Sequence, residues 1–577
     1  MDEETKGEDA APTVRLVRLG LATCLPLLAI AWALDLHRWT GLTAVRPQYI
    51  AAVLALALPL AFLTVDIRGR RLPRVPAWDW GLAALAAAAS VYLAVHADRL
   101  GLEIVYRPVD GIVVAAILLA LTLEALRRVA GWLLLGVVAV FLVYGVFGYM
   151  LPGILGAREV PLDRQVLYLV IDSNGLLGAV PGIVTTIVVA YVVLGNLLLK
   201  TGGAQFFTDL SAALLGRARG GQAKVAVAAS ALFGSISGSA VANVASTGVI
   251  TIPLMKQSGF SAERAAAIEA VASTGGQLMP PRMGAAAFLM MDFISVSYAE
   301  IVLAALIPSL LYYVALFGYK GKRPSLRTLA SVLPVSGMAM VELIAIAGGA
   351  SFIIAVLNLS GLGFSLTLGL VELANESIVL LLLLAAVICI VLGMGMPTVA
   401  VYVLLAALVV PSLIKVGISP IAGHMFVLYF GMMSMVTPPV AIAAFAAATI
   451  AGGKPFAAAV ESVKLGWTAY IVPFMFVASP TLLFEGPLDA VAWSAVTAIL
   501  GVWMVSVGTA GFLWRPLAAW YRLAWAVCGL ALIVPAAALT WGIGTDLFGL
   551  AGGGALLFRE YLASRRRPAE APRPSGA

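Results

Sequence analysis

The sequence predicts an all-α polytopic membrane fold built on an inverted repeat, with two re-entrant helical hairpins and two broken helices. Three observations carry that expectation. The 577 residues are 62% hydrophobic and only 11% charged, with a mean hydropathy of +1.02. A water-soluble chain of this length could not bury so much apolar side chain. Apolar runs of about 20 residues, the length that crosses a bilayer, recur from end to end. Finally, one pattern occurs twice, about 158 residues apart. Its first copy reads Gly234-Ser-Ile-Ser-Gly-Ser-Ala-Val-Ala-Asn243 and then Ala272-Ser-Thr-Gly-Gly-Gln-Leu-Met-Pro280-Pro281. The second reads Gly393-Met-Gly-Met-Pro-Thr398 and then Ser434-Met-Val-Thr-Pro438-Pro439.

The elements follow in order. The N-terminus is acidic and polar, and the run Leu19 to Ala33 reads as a retained span with no cleavable signal before it. Residues 1–150 hold about five spans and no break motif. Residues 151–178 form a mixed-charge extracytoplasmic connector, and 162–178 and 203–216 look amphipathic, as interfacial helices do. Residues 179–484 hold both repeats, with hairpins over about 222–257 and about 385–415. Residues 488–561 supply about three further spans, and 562–577 a disordered cytoplasmic tail.

Charge sets the topology. Arg68, Arg70, Arg71 and Arg74, then Arg127 and Arg128, mark cytoplasmic loops. So do Lys200, Arg217, Arg219 and Lys224, then Lys320, Lys322, Arg323 and Arg327, and finally Arg565 to Arg567. Both termini then lie inside, while 96–110 and 151–178 lie outside. Lys224 and Lys256 flank the first Gly-rich break on one side, so the segment between them must enter and return. The second hairpin enters from the opposite face if the repeat is inverted.

Broken helices in matched positions mark the binding site of a secondary transporter, because irregular backbone at membrane depth is tolerated only inside protein or along a cavity. Gly permits the turns, Pro frees carbonyls, and Ser and Thr add neutral oxygens. The first half offers Gly234, Ser235, Ser237, Ser239, Asn243, Ser273, Thr274 and Gly275; the second offers Gly393, Gly395, Thr398, Ser434 and Thr437. Neither set contains Asp or Glu, so the reading favours sodium over protons. Gly234 and Gly238 also fit a helix-packing G-x-x-x-G, and a Pro-Pro pair alone is a kink; repetition at matched spacing is what favours the ion site.

Substrate contacts are expected at Ser239, Asn243, Ser246 and Thr398, with Arg282 as an anion contact. The competing reading pairs Arg282 with Glu269 or Asp292, which makes Glu269 an ion-pair partner before a proton site. Glu342, Glu372 and Glu376 read as boundary residues, and His424 as a packed histidine. No Walker A, H-E-x-x-H or G-x-S-x-G motif occurs, so neither ATP-driven transport nor an intramembrane hydrolase is supported. The chain reads as a non-enzyme without cofactors, apart from sodium as coupling ion. The net charge of +7 belongs to loops and not to nucleic-acid binding.

These residues resemble a known family. Phe233 to Gly248, Ile252-Pro-Leu-Met-Lys256 and Glu269 to Pro281 look like the fused permease of TRAP transporters, closest to the TAXI type. Gly393 to Thr398 and Thr437 to Pro439 are similar to that family's second hairpin region. The match is strong over about 110–480 and weak towards both ends. The resemblance implies an inner-membrane symporter with an elevator-type transport domain. It also implies an extracytoplasmic TAXI-type solute-binding protein as partner and a small carboxylate as substrate. Residues 1–150 would match the Q part and 179–484 the M part. Arg282 departs from the family pattern, which has an apolar residue after the prolines. A self-sufficient carrier without a binding protein is the rival reading, and a channel or assembly subunit a more distant one.

Overall fold

The computed structural model describes residues 12–39, 44–72, 74–200, 203–216, 220–279, 283, 286–313, 326–374, 377–513, 515–534 and 542–565. It divides into two compact units: Met1–Ile301 with Ala315–Gly466, and Val302–Val314 with Trp467–Ala577. Among the described residues every regular element is helical, apart from isolated bridges at Val65–Arg71 and Phe512–Pro516. Eight described helices are long and apolar enough to cross a membrane, and five of them precede residue 151. The chain is therefore a multi-pass, all-α membrane protein, as its composition predicts.

In the first unit, the long helix Leu326–Ser360 is the organising element. Pro12–Ala33, Arg46–Thr64, Val109–Ala130 and Trp132–Phe147 pack against it, as does Val189–Lys200. Arg128, read from sequence as a cytoplasmic loop charge, is instead buried. Its guanidinium pairs with Asp79 at 2.7 Å and with Glu124 at 2.7 Å. A buried charge needs such partners because it has lost its water.

The break motifs become two interrupted helix pairs. Gly221–Ser237 and Ala240–Gln257 pack on each other and turn at Gly238, whose φ of 66° is left-handed and suits a residue without Cβ. Ile378–Gly393 and Thr398–Leu408 are joined through Met394 to Pro397, with Gly395 at φ 75°. Each pair packs on its own half's broken helix, Ala262–Gly275 in the first and Pro420–Met433 in the second. The amphipathic segment 203–216 forms Gly203–Leu215, which packs on Gly221–Ser237.

The second unit holds Leu488–Ala510, Ala519–Ile533 and Gly542–Arg565 around a core of Trp525, Tyr521 and Leu532. Only the first of these is both long and apolar enough to span, where about three spans were expected. Ala519–Ile533 is short, and Gly542–Arg565 carries Asp546, Arg559 and Glu560. The expected tail beyond residue 565 lies outside the described residues.

Candidate functional site

Each hairpin meets its broken helix through glycine. A Cβ on Gly234 would lie 2.5 Å from Gly276 Cα and 2.7 Å from Asn243 Nδ2; one on Gly393 would lie 2.8 Å from the Gly431 carbonyl. Gly234 is thus a close-packing residue, as the G-x-x-x-G reading allows. In the second half Ser434 Oγ donates to the Gly393 and Gly431 carbonyls, at 2.8 and 2.7 Å. These contacts hold the freed carbonyls in place.

Both second hairpin helices begin at one cavity of about 510 Å³. Ser239 caps Ala240–Gln257, accepting from the Ala242 amide at 3.4 Å. Residues 238–242 form one wall, and residues 395–399, at the start of Thr398–Leu408, form another. The first amides of a helix lack partners within it and carry the positive end of its dipole. Thr398 Oγ1 bonds the Gln277 side chain at 2.9 Å, tying the second hairpin to the first broken helix. Asn196, Gln277 and Glu342 also line the cavity.

The remaining sequence-chosen residues sort around this centre. Asn243 is fully buried behind the cavity wall, with Nδ2 donating to the Ser230 carbonyl at 2.8 Å. Ser246, expected as a substrate contact, is half-buried on its helix and donates to the Ala242 carbonyl; it does not line the cavity. Ser235 and Thr274 donate to carbonyls of their own helices, and Thr437 to the Met433 carbonyl at the end of Pro420–Met433. Gly275 is buried in the wall of the broken helix. Arg282, Glu376 and the side chains of Ser237 and Asp292 lie outside the described residues.

One sequence expectation is corrected. The oxygen set of the first half does include a carboxylate. Glu269 is completely buried, and its Oε1 accepts from Ser230 at 2.5 Å, Thr247 at 2.6 Å and Ser273 at 3.1 Å. Its Oε2 accepts from Thr251 at 2.5 Å. Its partners are thus hydroxyls, and no ion pair forms at Glu269 among the described residues. Glu342, read as a boundary residue, stands on the helix stretch Ser331–Ser360, where it is exposed and lines the cavity. His424, by contrast, is packed as expected, with Nδ1 2.8 Å from the Tyr402 hydroxyl.

Ser230, Thr247, Thr251, Gln277 and Glu342 were missed from sequence. A signal existed: Asn243, Thr247 and Thr251 are four residues apart, so they share one face of their helix, as do Glu269 and Ser273.

Comparison with known proteins places this geometry in context. Residues 117–320 and 316–486 match the family model described as "Tripartite ATP-independent periplasmic transporter, DctM component". The isethionate TRAP transporter permease protein DctMQ of Oleidesulfovibrio alaskensis is 24% identical over 397 residues, which is 56% of this chain and 60% of that protein. The C4-dicarboxylate TRAP transporter large permease protein DctM of Vibrio cholerae is 30% identical over 175 residues, covering 29% and 38%. The sialic acid TRAP transporter permease protein SiaT of Haemophilus influenzae is 31% identical over 129 residues, covering 22% and 21%. The aligned part thus spans between about a fifth and three fifths of these relatives' lengths.

Proposed function

The chain belongs to the DctM-component family of tripartite ATP-independent periplasmic transporters, and from that premise we propose that it is the membrane permease of a cation-coupled importer of small organic acids. A separate extracytoplasmic binding protein of the TAXI type would deliver the substrate. Residues 1–150 would act as the Q-like scaffold and 179–484 as the M-like transport region, moving as an elevator. The basic loops support cytoplasmic termini in an inner membrane.

One observation carries this reading. Two helix N-termini, at Ser239 and Thr398, meet in a single cavity of about 510 Å³. Unpaired amides and aligned dipoles favour a carboxylate there. The pairing of discontinuous helices around one cavity is the arrangement by which secondary transporters bind anionic groups.

The oxygens around Asn243 and Ser273, and around Gly393 and Ser434, support sodium as coupling ion. A specific observation favours a second reading, in which Glu269 carries a proton. Thr251 lies 2.5 Å from Glu269 Oε2 and can donate instead to the Thr247 carbonyl at 3.0 Å, so its oxygen is free to accept a proton carried on Oε2.

The test is uptake into proteoliposomes with an imposed gradient, with and without the binding protein. Uptake that needs the binding protein and follows a pH gradient supports the proton reading. Dependence on sodium alone returns the ion to the neutral oxygens. Uptake without a binding protein establishes the self-sufficient carrier instead.

A further inference from the structure

The second compact unit gathers an arginine pocket at one end of its helices. The loop between Leu488–Ala510 and Ala519–Ile533 meets Gly542–Arg565 there, around a cavity of about 150 Å³. Its charged lining residues are Arg515, Arg559 and Glu560. Glu560 is fully buried and accepts two bonds from Arg515, from Nε to Oε2 at 2.9 Å and from Nη2 to Oε1 at 2.8 Å. Such a fork-to-fork pair matches one guanidinium to one carboxylate. Nη1 of Arg515 bonds no described residue. Arg559 is exposed and forms no ion pair among the described residues. Its guanidinium rests near the Trp520 and Tyr521 rings, 5.5 and 5.3 Å from their centres. Ring faces attract the charge but do not satisfy five N–H donors. Arg522 differs, since it donates to the Gly508 and Thr509 carbonyls at the end of Leu488–Ala510.

Two arginines against one glutamate leave the pocket with a positive charge in excess. Its spare donors suit an anion with several oxygens. The cavity is smaller than the roughly 300 Å³ at which pockets enclose a whole small organic ligand, so it suits a headgroup and not a larger molecule. The surroundings are apolar and open. Trp520 is 61% exposed, and Leu523, one turn along the same helix, is 66% exposed. In a membrane protein exposed apolar side chains meet lipid, and Trp beside a basic residue marks the headgroup level. Basic pockets between helices at that level bind anionic head groups.

We propose that this pocket binds an anionic phospholipid, whose phosphate bonds Arg559 and Nη1 of Arg515 and whose acyl chains lie against Trp520 and Leu523.

The experiment replaces Leu523 by the photoreactive residue benzoylphenylalanine in the full chain. The protein is reconstituted in vesicles of phosphatidylglycerol and phosphatidylcholine in equal amounts, and the cross-linked lipid is identified by mass spectrometry. Phosphatidylglycerol is expected to be labelled about fivefold more than phosphatidylcholine, the ratio that one arginine contact supplies. Arg559→Gln in the same background is expected to bring the ratio below about twofold, whereas Arg68→Gln, an exposed arginine of the other unit, leaves it unchanged. Equal labelling of the two lipids with Arg559 in place overturns the proposal without reference to any charge variant. A preference that survives Arg559→Gln in a protein that elutes and melts like the parent also overturns it. Loss of the preference in Arg68→Gln assigns it to surface charge in general and overturns the site. Loss on adding excess inorganic phosphate at constant ionic strength assigns the pocket to the free anion and overturns the lipid.

Discussion

Replacing Glu269 separates what its carboxyl does for the fold from what it does for transport. Glu269→Gln keeps the shape. The amide oxygen can take the Oε1 position and accept from Ser230, Thr247 and Ser273. The amide nitrogen then faces Thr251, whose hydroxyl can turn to the Thr247 carbonyl 3.0 Å away. Every polar atom keeps a partner, so the cost should stay near 1 kcal/mol, the size of a single exchanged hydrogen bond. Glu269→Ala differs. It opens a void in a fully buried position and leaves Ser230 and Ser273 without the acceptor they share. Void and orphaned hydroxyls together should cost about 3–5 kcal/mol. The assay pairs thermal unfolding of the purified protein with gradient-driven accumulation in proteoliposomes. A tenfold gradient of one coupled ion supplies about 1.4 kcal/mol, which concentrates substrate about tenfold. Glu269→Gln should melt close to the parent and still exchange substrate across the bilayer, yet bring it only to equal concentrations on both sides. If Glu269→Gln still concentrates substrate against a pH gradient as the parent does, the proton reading is refuted. If the alanine variant is as stable as the glutamine variant, the hydroxyl cage has no structural weight.

Three further outcomes are expected. Thr398→Val removes the bond to Gln277 at 2.9 Å, so it should raise the substrate concentration for half-maximal uptake several-fold, about 1 kcal/mol, with little change in melting. Gly234→Ala places a methyl 2.5 Å from the Gly276 backbone, where nothing flexible can yield; thermal unfolding should report a loss of about 1–3 kcal/mol. Arg128→Met leaves Asp79 buried without its 2.7 Å partner, and thermal unfolding should register a loss of about 3–5 kcal/mol.

Much of the architecture was legible in the sequence, because lipid forces the backbone to satisfy itself within helices and restricts breaks to sites with a reason. Gly238 and Gly395 could be found as breaks since both occur in long apolar runs and repeat at matched spacing. The centre of the site was less legible. Glu269 looked like one half of an ion pair because only its neighbours along the chain were visible. Ser230, Thr247 and Thr251 lie 39, 22 and 18 residues away, on two other helices, and only packing brings them to the carboxyl. Glu342 was read as a boundary residue, and only the packing of Leu326–Ser360 shows that it lines the cavity. Ser246 lies one helical turn beyond Asn243, yet it is only half-buried, bonds the Ala242 carbonyl and does not line the cavity.

The repeat is symmetric in its backbone and asymmetric in its chemistry. Gly234 against Gly276 and Gly393 against Gly431 are equivalent close approaches, and both hairpins present a helix start to one cavity. The first broken helix carries Glu269, whereas the matching stretch of the second, Met425 to Phe430, holds no carboxyl and is buried throughout. A second carboxyl there would need its own ring of hydroxyls, and none of those side chains offers one except Tyr429. The two halves share the shape of one cavity and differ in one buried acid. Glu342 belongs to neither hairpin and lines the cavity from Leu326–Ser360. Changes at Glu269 on Ala262–Gly275 and at Glu342 on the long helix should act independently, because no hydrogen bond or ion pair among the described residues joins them.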